Sequence, residues 1–534
     1  MKRSCGTLMH ISSLPSPYGV GTLGKAAFAF ADFLVASGQS YWQMLPLGPT
    51  GYGDSPYQCA STFAGNPYFI DLDLLIEDGL LLPEEVETVD WGDDEAHVDF
   101  GRIFCARHEV LRRAFARGFE RDAAAVAAFR EAQAGWVEGY ALFSAVKEHF
   151  GLRPFNEWDD DIRLHTDAAV ARYRQLLHDE IDYHVYIQYL FYRQWNALRA
   201  YLSENQIRVI GDLPIYVPYD SADVWEHPSL FQLDDDRRPL GVAGVPPDYF
   251  SADGQLWGNP LYDWDAMADE GYRWWIERLR AAGRLFDVVR LDHFRGLESY
   301  WDVPYGETTA RIGTWRPGPG MALVNAIREA LPGLSIIAED LGFLTPEVRR
   351  LLSDSGFPGM RIMQFGFESR DGASRDLPHN YPIHSVAYVG THDNMTAMQW
   401  IAEAAPEQVG YAVDYLNLTE REGLANGMIR GLFASPAALT IVQMQDFLAL
   451  GAQARMNHPS TLGGNWQWRM TEREFASVDR ARIRYFAAMF ARERYRGRGF
   501  EKSAGTGSRA GASICARCAR VRTVCGAPAA ARVR

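Results

Sequence analysis

Eight short apolar runs, each ending in a polar or glycine-containing loop, recur along the chain, and helical patterns lie between several of them. Such an alternation is typical of parallel strands joined by crossover helices. Eight of these units predict an α/β fold, a (β/α)8 TIM barrel. The predicted strands lie in the segments GTLMHI, SYWQMLPLGP, IRVIGDLPIYV, FDVVRLDHF, LSIIAEDLG, GMRIMQFGF, HSVAYVGTHD and LTIVQMQDF.

The predicted strands are unevenly spaced along the chain. Between the second and the third, from about residue 72 to 205, charged segments carry apolar residues at every third or fourth position, which predicts helices. We expect this stretch to be a helical subdomain inserted into a barrel loop, and a smaller helical insertion at about 397–437. Residues 1–500 are therefore predicted to form a single barrel with two insertions.

The last residues, 501–534, differ in composition from the rest of the chain. They contain one acidic residue and seven basic ones, with small residues between them and no apolar periodicity. This composition predicts an atypical, disordered tail. It is also what a change of reading frame near the end of a gene rich in G and C would produce. Three cysteines in the tail lack a fourth ligand and a nearby histidine, so a zinc site is not expected.

Charge and cysteine usage restrict the partners and the location of the protein. The net charge of -15 over 534 residues disfavours nucleic acid or an anionic membrane as a partner. Aromatic residues make up 13%, which suits either a groove that stacks sugars or simply a large core. No disulfide framework, export signal or membrane-spanning stretch is evident, so we expect a cytoplasmic protein that binds a neutral small molecule or polymer. No metal or organic cofactor is predicted.

Acidic residues stand at the ends of three predicted strands: Asp292 in RLDHFRG, Glu339 in AEDLG and Asp393 in GTHDN. Taken alone, each motif is more typical of an ordinary solvated ion pair than of chemistry. The carboxyl ends of the strands of a barrel all meet at one rim, where such enzymes place their active sites. Three acids at that rim, with Arg290 and His392 beside two of them, therefore predict a catalytic site.

Paired carboxyls at a barrel rim suit retaining glycosyl transfer. That reaction needs one ionised carboxylate as nucleophile and one protonated carboxyl as acid, about 5 Å apart. Arg290 precedes Asp292 by two residues on the same strand face and should favour its anion, which suits Asp292 as nucleophile. Glu339 follows the apolar run SIIA and should keep its proton longer, as a general acid must. Asp393 would then hold sugar hydroxyls with His392 as its partner.

Longer specific segments surround these residues. They are SLPSPYGVGTLG, WQMLPLGPTGYGDSPYQCASTFAGNPYFID, GDLPIYVPYDSADVW, GVPPDYFSADGQLWGNPLYDW, RLDHFRG, AEDLG, LPHNYP, GTHDN and ARMNHPSTLGGNWQWR. Together they resemble the amylomaltases, the 4-α-glucanotransferases also called disproportionating enzymes, from about Gly6 to about Tyr495. The resemblance implies a barrel of the α-amylase superfamily type without a C-terminal β-domain. It also implies Asp292 as nucleophile, Glu339 as acid/base and Asp393 as transition-state stabiliser.

The resemblance also implies substrate contacts. Tyr57 in SPYQ matches the ring that stacks on the sugar next to the cleaved bond, and Asp212 and Arg290 match residues lining that donor site. Trp257 matches the aromatic contact of a flexible loop, ADGQLWGNP, that closes over the glucan, and Asn465 matches a further sugar contact. For Tyr57 and Trp257, plain core packing is the alternative interpretation.

The sequence departs from the family pattern at two positions outside the three acids. Met395 follows GTHDN where many relatives have aspartate, and Ser460 stands where glycine is usual. The implied substrates are maltooligosaccharides and α-1,4-glucans, with glucose as acceptor or product. The alternatives are a hydrolase of the same mechanism, a catalytically silent glucan-binding protein and, more remotely, a phosphorylase. The sequence does not predict an oligomeric state.

Overall fold

The protein is described by a computed structural model that covers residues 2–51, 53–247, 251–342, 344–461 and 463–494. The predicted tail at 501–534 lies outside these residues, as do its three cysteines. Within them, no helix is long and apolar enough to cross a membrane.

Eight parallel strands close a barrel in the order β1-β12-β11-β10-β9-β6-β3-β2. Seven of the eight apolar runs contain one of these strands and the first, GTLMHI, overlaps β1, so the predicted (β/α)8 barrel is confirmed. Their side chains are almost all buried because one face of each strand fills the barrel and the other packs on helices. The strands are β1 (Ser4–Leu8), β2 (Tyr41–Gln43), β3 (Arg208–Leu213), β6 (Val288–Leu291), β9 (Ser335–Ala338), β10 (Gly359–Ile362), β11 (Ser385–Tyr388) and β12 (Leu439–Gln443).

A second, antiparallel sheet of four strands was not predicted. Its strands are β4 (Gly241–Val245), β5 (Gln255–Pro260), β7 (Ser299–Pro304) and β8 (Thr314–Pro317), in the order β5-β4-β7-β8. Part of the segment interpreted as a flexible loop, ADGQLWGNP, is strand β5. Backbone pairing of β5 with β4, for example Leu256 with Gly244, holds it in place.

The helices lie between and after the strands. Helices α2 to α9 fall between β2 and β3, and α15 to α17 fall between β11 and β12. The division of the chain into one barrel and two insertions stays a prediction. The helices are α1 (Lys25–Ala36), α2 (Leu72–Glu77), α3 (Glu84–Glu87), α4 (Phe100–Gly118), α5 (Ala123–Ala132), α6 (Val137–His149), α7 (Asp160–Arg163), α8 (Asp167–Leu176), α9 (His178–Glu204), α10 (Ala222–Glu226), α11 (Trp264–Asp269), α12 (Arg273–Leu285), α13 (Gly320–Ala330), α14 (Pro346–Ser355), α15 (Ala397–Glu403), α16 (Pro406–Leu416), α17 (Leu424–Ala434), α18 (Met444–Phe447), α19 (Glu472–Ser477) and α20 (Arg480–Met489).

Asp446, in α18, is a buried carboxyl that holds the start of α15. Its Oδ1 accepts a hydrogen bond from the Ala397 N–H at 2.7 Å, and the residue is 1% exposed. Burial raises the pKa of Asp446 to about 7, which the backbone hydrogen bond only partly opposes. The folded state therefore binds the proton more tightly than the unfolded chain does, so this carboxyl destabilises the fold progressively as the pH rises from about 4 to about 7.

We expect the Asp446→Asn variant to lose less stability than the wild type between pH 5 and pH 8, by about 3 kcal/mol. Asparagine keeps the oxygen that accepts from Ala397 but cannot ionise. Thermal unfolding across this pH range measures the difference. Asp479→Asn is the matched control, because Asp479 caps α20 with a side chain that is 58% exposed. Equal pH dependence of the wild type and Asp446→Asn would contradict the prediction.

Candidate active site

Strands β3, β6 and β9 lie side by side and bring two of the predicted acids to the same rim. Leu291 pairs with Ala338 at the last position of the β6–β9 register, so Asp292 and Glu339 both follow directly. The Asp292 N–H donates to the Leu213 carbonyl and the Glu339 N–H donates to the Leu291 carbonyl, each at 3.0 Å. The backbone ladder thus continues one residue past the strands and fixes where both acids leave the barrel.

Arg290 is the central cation of this rim. Its Nη1 donates to both carboxylate oxygens of Asp212, at 2.7 and 2.8 Å, and to Oδ1 of Asp292 at 2.8 Å. The side chains of Arg290 and Asp212 are 3% and 0% exposed, whereas that of Asp292 is 27% exposed. The guanidinium is therefore fixed from below by Asp212 and presents Asp292 toward the open side of the rim.

The Glu339 carboxylate is held by two backbone groups. Its Oε2 accepts from the His293 N–H at 2.8 Å and its Oε1 accepts from the Leu341 N–H at 2.7 Å. His293 has a φ of 47°, in the left-handed region that non-glycine residues seldom occupy. The chain therefore makes a sharp turn immediately after Asp292, and that turn brings a backbone N–H donor to Glu339.

Burial dominates the protonation of this pair of acids. It raises the pKa of Asp292 more than the Arg290 guanidinium lowers it, and the carboxylates of Asp212 and Glu339 add to the rise. Burial also raises the pKa of Glu339, against the opposing effects of Arg290 and the two backbone N–H groups. Arg290 lowers the pKa of Asp292, as predicted, but burial raises it by more. The pair therefore retains a proton at a higher pH than isolated carboxyls would.

Asp393, just beyond β11, has the opposite electrostatic environment. Its Oδ1 accepts from Nδ2 of Asn457 at 2.6 Å, and its Oδ2 lies 3.2 Å from Nε2 of His392. Nη2 of Arg455 donates to its backbone carbonyl at 3.0 Å. Although burial alone would raise it, His392 and Asn457 lower the pKa of Asp393 below the ordinary value. This carboxyl therefore stays ionised and can stabilise positive charge or accept from hydroxyl groups.

Tyr57 links Asp212, which binds Arg290, to His392, which lies beside Asp393. Its hydroxyl lies 2.9 Å from Oδ2 of Asp212, to which it donates, and 2.8 Å from Nε2 of His392. The rings of Tyr57 and His392 stack with centroids 5.3 Å apart and planes at 17°. Because the tyrosine proton is given to Asp212, the phenol oxygen accepts from the His392 ring, which assigns a hydrogen to Nε2 of His392.

Trp257 lies beside the acids, whereas the side chain of Asn465 makes hydrogen bonds within its own loop. The Trp257 ring meets the His293 ring edge-on at 4.7 Å, and Trp257 is half-buried in β5. The Asn465 side chain accepts from the His458 N–H at 2.8 Å and donates to the Thr461 carbonyl at 3.2 Å. The structure thus places Trp257 next to the turn that follows Asp292, and the sugar contact predicted for Asn465 stays a prediction.

Three residues of the site were not identified from the sequence. Asn457 and Arg455 contact Asp393 although more than sixty positions separate them along the chain. Both lie in the family-like segment ARMNHPSTLGGNWQWR. That segment indicates a functional region, but it does not indicate which of its side chains contacts Asp393. His293 lies inside RLDHFRG, and its backbone conformation could not be read from the motif.

Among the described residues, no group of three or more histidine, cysteine, aspartate or glutamate side chains is arranged to hold a metal ion. The acids at the rim are instead engaged with arginine, asparagine and backbone N–H groups. The site therefore consists of carboxyls whose pKa values are shifted in different directions, grouped around the Arg290 guanidinium.

Comparisons with known proteins all point to one family. A family model described as 4-alpha-glucanotransferase matches residues 9–474. The chain is 50% identical to the 4-alpha-glucanotransferase of Streptococcus pneumoniae over 477 residues, covering 88% of this chain and 94% of that protein. It is 46% identical to the Thermus thermophilus 4-alpha-glucanotransferase over 500 residues, covering 91% and 98%. The solved structure of the amylomaltase from Streptococcus agalactiae in complex with acarbose is similar, with 43% identity, coverage of 92% of this chain and 100% of that chain, and a TM-score of 0.90.

Proposed function

Given that the chain belongs to the 4-alpha-glucanotransferase family, we propose that Asp292, Glu339 and Asp393 perform the transfer as nucleophile, acid/base and transition-state stabiliser. The substrates are maltooligosaccharides and α-1,4-glucans, with glucose released or accepted. The observation that supports these roles most directly is the ion pair of Asp292 with Arg290, at 2.8 Å, on the exposed side of a rim that also holds Glu339.

In the first step, a carboxylate oxygen of Asp292 attacks the anomeric carbon while Glu339 gives its proton to the departing glycosidic oxygen. The bond to the reducing-side glucan breaks and a covalent ester to Asp292 forms. A single proton on the pair belongs on Glu339, because Arg290 contacts Asp292 directly and stabilises its anion. The ionised Asp393 stabilises the positive charge that develops on the sugar ring.

In the second step, Glu339 acts as the base. It takes the proton of the 4-hydroxyl of an incoming glucan, whose oxygen attacks the anomeric carbon and displaces Asp292. Two displacements at the same carbon retain its configuration. Water can attack in place of the hydroxyl, so transfer requires that a sugar occupies the acceptor site. We assign Trp257 to that side, because its ring lies against His293 just after Asp292.

Most of the remaining predicted contacts belong to one side of the cleaved bond. Tyr57, Asp212, Arg290 and His392 form one hydrogen-bonded group beneath the donor sugar, and this connectivity supports their assignment to the donor site. Asn465 is proposed as a further sugar contact on the basis of its motif, with no assignment to either side. Sugar binding there would require its amide to exchange a hydrogen bond within the loop for one to the glucan.

We expect Tyr57→Phe to lower kcat/KM for maltotriose about 10- to 100-fold, because the hydroxyl bonds both a buried carboxylate and His392. The ring, and its stacking on His392, is retained, so the loss reports on the hydroxyl. Tyr192→Phe is the matched control: its hydroxyl, on helix α9, donates to the Phe63 carbonyl. Initial rates of glucose release measure both variants, and an unchanged kcat/KM for Tyr57→Phe would contradict the donor-site assignment.

We also propose a cytoplasmic location and a single catalytic barrel, residues 1–500, with helical insertions at about 72–205 and 397–437. The described cysteines, Cys5, Cys59 and Cys105, are free thiols, which is the usual state in a reducing compartment. The position of α2 to α9 between two neighbouring barrel strands supports the larger insertion.

Incubation with maltotriose tests the proposed activity. Transfer yields glucose together with a ladder of longer maltooligosaccharides, since each donor loses a segment to an acceptor. Glucose and maltose without longer products would indicate a hydrolase of the same mechanism. No change in the sugar would favour a glucan-binding protein without catalysis. Chromatography of products over time distinguishes the three results.

A further inference from the structure

A small cavity lies behind His392, on the barrel side of the active site. It has a volume of about 10 Å³, measured for the centre of a water-sized sphere, and His10, His392 and Gln443 are among its lining residues. A volume on the order of 10 to 15 Å³ by this measure admits a single water molecule. The remaining walls include apolar side chains such as Leu45 and Met456.

Three buried nitrogen atoms belong to side chains that line this cavity: Nδ1 of His10, Nδ1 of His392 and Nε2 of Gln443. None of the three has a hydrogen-bonding partner on the described part of the protein, and the residues are only 6%, 3% and 2% exposed. Buried polar groups in folded proteins are nearly always hydrogen-bonded to protein or to ordered water. Three unpaired nitrogens around one water-sized space therefore point to a shared ligand.

We propose that this cavity binds one buried water molecule that hydrogen-bonds to His10, His392 and Gln443, and that His10 and Gln443 are thereby positioning residues for His392. The water site itself follows from the cavity and the three nitrogens. The importance of His392 for catalysis rests on the function proposed above.

Each hydrogen-bonding group around such a water molecule then has a donor or an acceptor as its partner. In the neutral form of His392 with its hydrogen on Nε2, toward Tyr57 and Asp393, Nδ1 is an acceptor that needs a donor. The water donates one hydrogen to this Nδ1 and accepts from the amide N–H of Gln443. Burial keeps His10 neutral by lowering its pKa to about 3, so Nδ1 of His10 can accept the second hydrogen.

This network fixes both the ring orientation and the tautomer of His392. The edge of His392 that faces the active site then presents an N–H to Tyr57 and Asp393, and the opposite edge is anchored through the water. Gln443 is the last residue of β12 and His10 follows β1, so two neighbouring strands of the barrel hold the anchor. A histidine that had no second anchor could rotate or change tautomer.

A crystal structure at a resolution that shows ordered water tests the site directly. We expect a density peak about 2.7–3.2 Å from all three nitrogens. An empty cavity, or direct contact between the three side chains, would overturn the proposal. This result does not depend on activity, so it is decided even if the wild-type protein fails to transfer glucan.

Variants test the positioning role. His10→Phe keeps the ring, which packs edge-on against Phe69, and Gln443→Met keeps the chain length, while each removes its hydrogen-bonding nitrogen. We expect either change to lower kcat about 10-fold, and His10→Asn, which restores a polar atom near Nδ1, to recover part of it. The histidine ¹⁵N resonances, with His392 identified by its loss in His392→Gln, should show hydrogen on Nε2 in the wild type and an altered His392 signal in both variants.

Thr440→Val is the matched control. Thr440 is also a buried β12 residue whose hydroxyl lacks a partner among the described residues, but it alternates to the opposite face from Gln443 and does not line the cavity. It should leave kcat and the His392 resonances unchanged. If His10→Phe fails to fold, Gln443→Met decides the question. Wild-type kcat and an unchanged His392 signal in a folded variant would overturn the positioning role.

Discussion

Replacement of Asp292 with asparagine is expected to abolish glucan transfer, with kcat reduced by roughly 10⁴-fold or more, because the side chain can no longer form the covalent ester. Asparagine has the same shape, and its oxygen can still accept from Arg290, so the ion pair at the rim becomes an ordinary hydrogen bond rather than a cavity. Binding of maltooligosaccharides should therefore persist while turnover is lost. Product analysis from maltotriose and binding measured by calorimetry separate the two effects.

Asp287→Asn is the matched control for that variant. Asp287 stands at the other end of the same strand, where it pairs with Arg199 at 2.8 Å and accepts from the Val209 N–H. Its loss should lower thermal stability and leave kcat/KM close to the wild-type value, because the bottom of a barrel serves stability and the carboxyl end serves chemistry. Retention of transfer by Asp292→Asn, or an equal loss of transfer in Asp287→Asn, would contradict the assignment of the nucleophile.

The barrel could be predicted from the sequence because its strands are buried on both faces. A segment such as Val288–Leu291 is then buried throughout and apolar except for Arg290, and the polar residues that follow it mark the rim. The antiparallel sheet was missed for the opposite reason. Its strand Thr314–Pro317 is exposed throughout, and Gln255–Pro260 contains glycine and proline, so neither has a periodicity that distinguishes a strand from a loop.

The positions of the candidate site residues could be predicted from the sequence better than their pKa values. Position at a strand end identifies Asp292 and Glu339, since the register of parallel strands carries both to one rim. The protonation of Asp292 could not be inferred from Arg290 alone, because Asp212, which also binds Arg290, comes from a strand about eighty residues away. Local sequence reports the nearest charge, whereas the pKa depends on burial and on every charge that the fold assembles.

Replacement of Glu339 with glutamine is the second change with a large expected effect. With maltotriose as donor, we expect kcat/KM to fall about 10²- to 10⁴-fold, since the departing sugar oxygen then receives no proton. Glutamine keeps the oxygen that can accept from a backbone N–H, but its amide N–H₂ cannot accept the second bond, so the His293 or Leu341 contact is exchanged for water. Folding is checked by thermal unfolding beside Glu298→Gln, a carboxyl near the rim that accepts from the neighbouring Ser299 hydroxyl.

The donor α-maltosyl fluoride separates the acid role of Glu339 from a general disruption of the site. Fluoride leaves without a proton, so Glu339→Gln should form the maltosyl ester on Asp292 at a rate near that of the wild type. Transfer from the ester to an acceptor still needs a base, so the ester should accumulate and appear by mass spectrometry on the peptide that contains Asp292. Burial, which raises the pKa of Glu339, should extend the wild-type activity on maltotriose to higher pH than an ordinary carboxyl acid would allow. With the fluoride donor that alkaline decline of the first step should disappear. Equal impairment of Glu339→Gln toward both donors would mean that Glu339 orients the site and does not supply the proton.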